Sequence, residues 1–240
     1  MRNIPALARR EMTSVFFSPL GYVLLTIFLF FSGFFFFALY AESLKASMND
    51  MVEVIVFLFL VAAPFLTMRL LSEEYRSGTI ETLMTAPVTD AEIVLAKFAG
   101  VTAFFLFMLA PTLVYVAILA NLGEPDLGPV VSAYIGIVLM GMQFLALGLF
   151  CSALTRSQIV AGVATLILLL LIWLMGEFAA TMTGRLGAVL RYAGTMNHLR
   201  AFTKGTIAFR SLFYFVSTTC FWLFLAVRAL ESRRWRQTGP

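Results

Sequence analysis

Charge is scarce in this chain: of its 240 residues, 12% are Asp, Glu, Lys or Arg and 61% are hydrophobic. A soluble domain carries about twice that charged fraction, so a water-soluble globular protein is the first class excluded. There is one histidine, His198, and there are two cysteines, Cys151 and Cys220. None of them occurs at a metal-ligand spacing. The cysteines fall in or near apolar runs and read as packing residues, and His198 reads as a structural or interfacial residue. No Gly-x-x-x-x-Gly-Lys-Ser/Thr run occurs, which excludes a phosphate-binding loop of the ATPase kind. No Ser/His/Asp or Cys/His nucleophile set and no pair of catalytic carboxylates stands out. The chain is therefore expected to carry no enzyme site, cofactor site or metal site. The strict alternation that a membrane β-barrel needs is absent too.

What the chain has in quantity is long apolar runs. Six of them, at 20–39, 52–71, 93–119, 130–154, 159–180 and 211–227, are near or above the roughly 20 residues that cross hydrocarbon as a helix. Backbone groups in lipid must be satisfied within each segment, so helices are expected. The fold class is an all-α integral membrane protein with six transmembrane helices in one domain spanning 1–240. The first run is no cleavable signal, because its core is too long and no small-x-small site follows it.

Six spans put both termini on one side. That side carries Arg2, Arg9, Arg10, Arg69, Arg76, Lys97, Arg156, Arg228, Arg233, Arg234 and Arg236, the larger share of the basic residues, and is assigned to the cytoplasm. The net charge of +4 thus reads as topology and not as nucleic-acid binding. Before the first span, Ile4, Leu7, Ala8, Met12 and Val15 share one helical face. Segment 1–18 is expected to be an interfacial helix, a plain basic flank being the alternative, and Ser18-Pro19 marks the bend into the span. Pro129 suits the first turn of the fourth helix, Ser157 suits the cap of the fifth, and these two spans form an antiparallel hairpin. Segment 181–210, with Leu186, Val189, Leu190 and Ala193 at helical spacing, is expected to form short outer helices. Its Arg185, Arg191, Arg200, Lys204 and Arg210 oppose the charge rule. They meet lipid phosphates or an acidic partner, or the segment simply crosses regardless of charge. Small residues at Gly141, Gly148 and Ser152, and at Ala161, Gly162 and Ala164, permit close helix approach within the chain or between two copies.

The polar stretch 72–90 between spans two and three is the most informative segment. Ser77 is expected to cap a short helix starting at Gly78, with Ile80, Leu83 and Met84 on one face and Pro87 at its end. Thr89-Asp90-Ala91-Glu92 reads as a capping box, with Val88 stapled onto Ile93. Glu73, Glu74 and Arg76 suggest a charged cluster at the membrane surface. Such a firm polar element beside a bilayer points to docking with a soluble partner. A solvated topological loop is the bland alternative.

The string Glu73-Glu74-x-Arg76-x-Gly78-Thr79-x-Glu81-x-Leu83-x-x-x-Pro87-Val88 resembles the signature loop of ABC-2 type permeases, the membrane subunits of a class of ATP-binding-cassette exporters. Arg10-Glu11 with Ser18-Pro19-Leu20-Gly21-Tyr22-Val23, Leu154-Thr155-Arg156-Ser157-Gln158, and His198-Leu199-x-x-Phe202-x-x-Gly205 resemble parts of the gliding-motility branch of that family. The resemblance implies a coupling helix at 78–86, with Glu73, Glu74, Arg76, Gly78, Thr79, Glu81, Leu83 and Pro87 as the ATPase-coupling residues. It implies a separate ATPase in two copies that holds ATP and Mg, a second permease subunit, and an auxiliary subunit with an extracytoplasmic domain. Membrane lipids are the remaining partner, and the bacterial cytoplasmic membrane is the expected location. The substrate is not legible, although walls without fixed charge suit a hydrophobic or lipid-linked molecule. Two other readings stand beside this one. A secondary transporter would need ionisable groups at mid-membrane, where Gln143 is the most central strongly polar side chain, with Pro64 and Pro111 as candidate kinks. A non-transporting subunit would pass ATPase-driven motion to an external partner.

Overall fold

The computed structural model describes residues 4–43, 48–79, 88–122, 127–181, 184, 187, 192–206 and 208–238. Among them the chain is helical and no strand occurs. Helix α1 (Ile4–Phe16) turns at Ser18 into α2 (Pro19–Ser43), with Pro19 at the first helical position, where its missing N–H costs nothing. Then come α3 (Met48–Thr67), the short α4 (Ser72–Ser77) and α5 (Asp90–Leu109). A 3-10 turn at Ala110–Thr112 carries Pro111 and leads into α6 (Leu113–Leu122). The chain continues through α7 (Leu127–Leu154), α8 (Gln158–Thr181), α9 (Thr195–Thr203) and α10 (Phe209–Thr238).

Among the described residues six helical stretches are long and apolar enough to cross a membrane: Pro19–Leu39, Asp50–Ser77, Asp90–Asn121, Gly128–Leu154, Gln158–Gly176 and Phe209–Ser232. The even number returns the chain to the side from which it started. That side, where α1 lies, is the near end below, and the opposite side is the far end.

Helix α7 is the hub: 72% of its apolar stretch is buried, against 22% for α8, α10 and α2. It packs on α3, α5, α8, α9 and α10. Small residues make this crowding feasible. The Phe105 ring of α5 occupies the place a side chain at Gly141 would need, and the Thr67 side chain of α3 does the same at Gly148. Gly162 on α8 faces Met68, and Ala161 is fully buried. The small residues of these two helices thus serve contacts within one chain. At the centre, Phe59 of α3 meets Phe105 with ring centroids 4.1 Å apart, and Phe144 of α7 stacks at 6.3 Å. Pro64 lies buried inside α3, and three residues later Thr67 donates its hydroxyl to Ala63 O at 2.8 Å.

Helix α1 is more than a surface helix. It lies along the first half of α5, where Gly100 gives room for Glu11 and Met12 and where Phe16 meets Phe104 at 5.2 Å.

Candidate functional site

At the near end, α3 stops at Thr67 and the chain turns through residues 68–71 before α4. A short helix beginning there leaves backbone N–H groups without intrahelical partners. Ser152 of α7 supplies one: its Oγ accepts from Leu71 N at 3.0 Å and Ser72 N at 3.1 Å, and donates to Met68 O at 3.2 Å. One hydroxyl thus fixes α4 to the hub helix. Ser72 also donates its hydroxyl to Met68 O. Ser72 and Tyr75 face inward, while Glu73, Arg76 and Ser77 are exposed.

Gly78 closes α4. Its φ of 75° is left-handed, the conformation that glycine adopts without a Cβ penalty at a helix C-terminus. The Ser77 hydroxyl donates back to Glu73 O at 2.9 Å, and Thr79 Oγ1 lies 2.8 Å from it. Thr79 is helical; Ile80, Glu81, Leu83, Met84 and Pro87 lie outside the described residues.

Lys97 of α5 organises the charges. Its side chain is only 4% exposed, and Nζ lies 2.6 Å from Glu74 Oε1 and 3.2 Å from Glu11 Oε2. A buried ammonium survives only when paired, and here two carboxylates from different helices pair with it. The bridge joins α1, α4 and α5. The cluster expected from Glu73, Glu74 and Arg76 therefore has Lys97 as the cation on Glu74, while Arg76 stands exposed on α4. The second oxygen of Glu74, Oε2, is buried and accepts no hydrogen bond. Glu74 is among the residues lining a cavity of about 250 Å³, with Arg10, Glu11, Arg69, Glu73 and Lys97.

The restart after the polar stretch is built as the spacing predicts. Thr89 Oγ1 accepts from Glu92 N at 3.2 Å, and Thr89 N donates to Glu92 Oε2 at 3.1 Å, a reciprocal capping box. Val88 packs against the core cluster that includes Ile93.

The far end is organised differently. Helix α9 tucks against α7 and α8, its Leu199 and Phe202 covering Gly136 of α7. A Cβ at Gly194 would sit 2.5 Å from Gly176 Cα, so the two backbones touch. His198 is buried and stacked on Tyr214 at 4.1 Å. Its Nε2 lies 2.9 Å from Tyr192 O, which can only accept, so Nε2 carries the proton and Nδ1 accepts from Ser211 Oγ at 3.1 Å. Burial chiefly, and the Arg210 charge as well, hold its pKa below the ordinary imidazole value, against the pull of the Tyr192 carbonyl. Arg200 reaches Glu53 of α3 at 3.4 Å, and Arg210 lies over the Tyr192 ring at 4.7 Å. Arg185, Leu186, Val189, Leu190 and Arg191 lie outside the described residues.

Of the residues singled out in the sequence, Glu73, Glu74, Arg76, Gly78 and Thr79 sit together on and just after α4. Sequence reasoning missed Ser152, Glu11 and Lys97 as their supports. The signals were a hydroxyl late in an apolar run and a lone lysine five residues beyond the Glu92 cap. Among the described residues no group of three or more His, Cys, Asp or Glu could hold a metal ion.

Six long apolar helices, one of them a buried hub, with a polar element firmly anchored at one end, define a multi-pass membrane protein. Residues 23–202 match the ABC-2 family transporter protein, and the chain belongs to that family. It is thus the membrane permease of an ATP-binding-cassette transporter, a class that works with an ABC ATPase. No curated protein matches the chain.

Proposed function

We propose that this chain exports its substrate across a bacterial cytoplasmic membrane, with both termini in the cytoplasm and ATP and Mg bound only on a separate ATPase chain. In this reading the complex holds two ATPases and two permease subunits, and segment 72–90 is the coupling element. The observation that carries it is the anchoring of α4. Ser152 and Lys97 tie α4 to α7 and α5, so a push on the near end is transmitted to the most buried helix of the bundle.

The second permease subunit would pack against the exposed apolar row Ile159, Val163, Ile167 and Leu171 of α8, beside the row Phe57, Val61 and Phe65 of α3. The path between subunits would then be apolar, which suits a hydrophobic or lipid-linked substrate. An auxiliary extracytoplasmic subunit, as in the gliding-motility branch, would meet the far end around α9.

Replacing Glu81 or Leu83 by Arg is expected to leave the permease inserted and to uncouple ATP hydrolysis from transport, because a desolvated docking contact cannot satisfy the new charge. Vesicles loaded with the co-purified complex report both activities. Normal transport and normal ATPase binding in both variants would refute the assignment of segment 72–90.

A further inference from the structure

The third span is not one continuous helix. Pro111 lacks the N–H that the helical ladder needs, and the chain passes through the 3-10 turn at Ala110–Thr112 before α6 resumes. Beyond the turn α6 is tied to α2 and does not pack on the hub. The Tyr115 ring stacks on Phe36 with centroids 4.8 Å apart, and its hydroxyl lies 2.9 Å from Ser32 Oγ. Between α6 and α7 a groove of about 480 Å³ is left open. Leu113 and Val116 form one wall, and Val131, Ile135 and Val138 belong to the other. Leu113, Val131 and Ile135 are exposed. Among the described residues that line the groove none is charged, and the single polar side chain, Tyr134, is engaged. Thr112 gives its own proton to Leu109 O at 2.7 Å, so Tyr134 donates to Thr112 Oγ1 at 3.0 Å.

In a bilayer such a groove has few occupants to choose from. Water is excluded, because an apolar space without polar partners stays dry. Vacancy would forfeit the dispersion contacts of the lining atoms. A partner helix needs small residues for close approach, and those of this part of α7 are used elsewhere. Ser132 and Ala133 are buried, and Gly136 is covered by Leu199 and Phe202 of α9. The groove is walled by branched aliphatic side chains instead. Its extent fits a lipid tail. It runs on α7 from Val130 to Leu139, starting just inside the apolar stretch that opens at Gly128. At about 1.5 Å per residue that is about 14 Å, or about half of the roughly 30 Å hydrocarbon core, the depth of one leaflet. We propose that the groove holds one acyl chain of a membrane lipid from the leaflet at the far end, lying between α6 and α7 as a fixed packing element. The chain fills the place on α7 that α6 leaves open beyond Pro111. The lipid is recognised by its hydrocarbon and not by its headgroup, since no charge lines the described groove. The site requires neither an ATPase nor transport.

The test is photolabelling of the full-length chain in lipid nanodiscs containing a phosphatidylcholine with a diazirine midway along one acyl chain. Adducts are mapped by peptide mass spectrometry. Val131 and Val138 are expected to carry several-fold more adduct than Val114 and Val216, exposed valines of α6 and α10 in the same half of the bundle that do not line this groove. A chain held on two sides stays against its walls longer than one passing an open face. Leu113→Phe with Ile135→Phe fills the groove and should bring Val131 and Val138 down to the level of Val114, with Val216 unchanged. Both replaced residues are exposed, so the core is spared. The companion pair Leu113→Ala, Ile135→Ala leaves room and should keep the excess. Equal labelling of the four valines in the unaltered chain would overturn the proposal. So would an excess that survives the phenylalanine pair or vanishes in the alanine pair. A Val131→Cys, Cys220→Ser variant that forms disulfide-linked dimers in nanodiscs would assign the groove to a second copy of the chain and overturn the lipid assignment.

Discussion

The two ends of this bundle solve the same problem by opposite means. Each must hold a short helix against long apolar ones, and each buries polar groups to do so. The near end uses full charges: Lys97 between Glu11 and Glu74, with arginines around a cavity. The far end buries neutral groups: His198 stacked on Tyr214, bonded to Ser211 and Tyr192, and sealed by a backbone contact between Gly194 and Gly176, its Arg200–Glu53 pair being exposed. A buried ion pair is costly to form and costly to break, so it suits an element that must keep one position or switch as a unit. Neutral hydrogen bonds and ring stacking cost less to form and give a packed plug. The contrast teaches that α4 is tied by buried charge beside the Ser152 hydroxyl, whereas α9 is wedged by shape.

The largest test of that contrast is Lys97→Met. It leaves Glu11 and Glu74 facing each other partly buried, and removing one partner of a buried pair costs about 3–5 kcal/mol. Thermal unfolding in detergent should show the loss, and adding Glu74→Gln should recover part of it. No loss in the single variant would mean that the near end is not held by charge.

Ser152→Ala asks whether the anchor needs its hydroxyl. It strips the acceptor from Leu71 N and Ser72 N, at a cost of about 2–3 kcal/mol if water cannot replace it. Hydrogen exchange at residues 71–75 should accelerate while α9 stays protected; uniform protection would show that α4 is held by packing alone. At the far end, Gly194→Ala places a methyl against the Gly176 backbone and should cost about 1–3 kcal/mol, as overpacking does. Exchange should then rise in α9 and not in α4.

The smallest effect concerns pH. The folded-state pKa of His198 lies below its ordinary value of about 6.5, so the unfolded chain binds the proton more readily than the folded one. Stability from neutral His198 is therefore fully present above about pH 6.5 and is lost as pH falls through the folded pKa. Unfolding midpoints compared between about pH 7.5 and pH 5.5 should fall with acid, and His198→Gln should flatten that slope. An unchanged slope in the variant would place the acid sensitivity elsewhere.

Much of this architecture could be read from the chain. The six apolar runs, the Thr89 capping box and the Ser18-Pro19 bend rest on local rules, and the structure realises each of them. Ser157 likewise caps α8, its Oγ 3.5 Å from Val160 N. The short helix α4 and its close at Gly78 went unread, because Ser77-Gly78 serves equally as a start or as a stop signal and the left-handed φ of Gly78 is a feature of the structure. The supports of the candidate site could not be read at all. Glu11, Glu74 and Lys97 lie on three helices with long sequence separations, and no local rule links them.

The sequence by itself determined that this is a helical membrane protein of the ABC-2 family, since length, apolarity and the motif around Glu73 and Gly78 are local properties. Only the tertiary structure decided which helix is central. Mean hydropathy is 2.1 for the α7 stretch and 2.7 for that of α8, yet the less apolar one is the more buried. In lipid an apolar surface gains nothing by leaving its surroundings, so burial follows shape instead. Gly141 and Gly148 let neighbouring side chains close on α7, and Ser152 satisfies backbone groups that lipid cannot. Those pairings are facts of three-dimensional packing, and they fix α4 at the near end of the bundle.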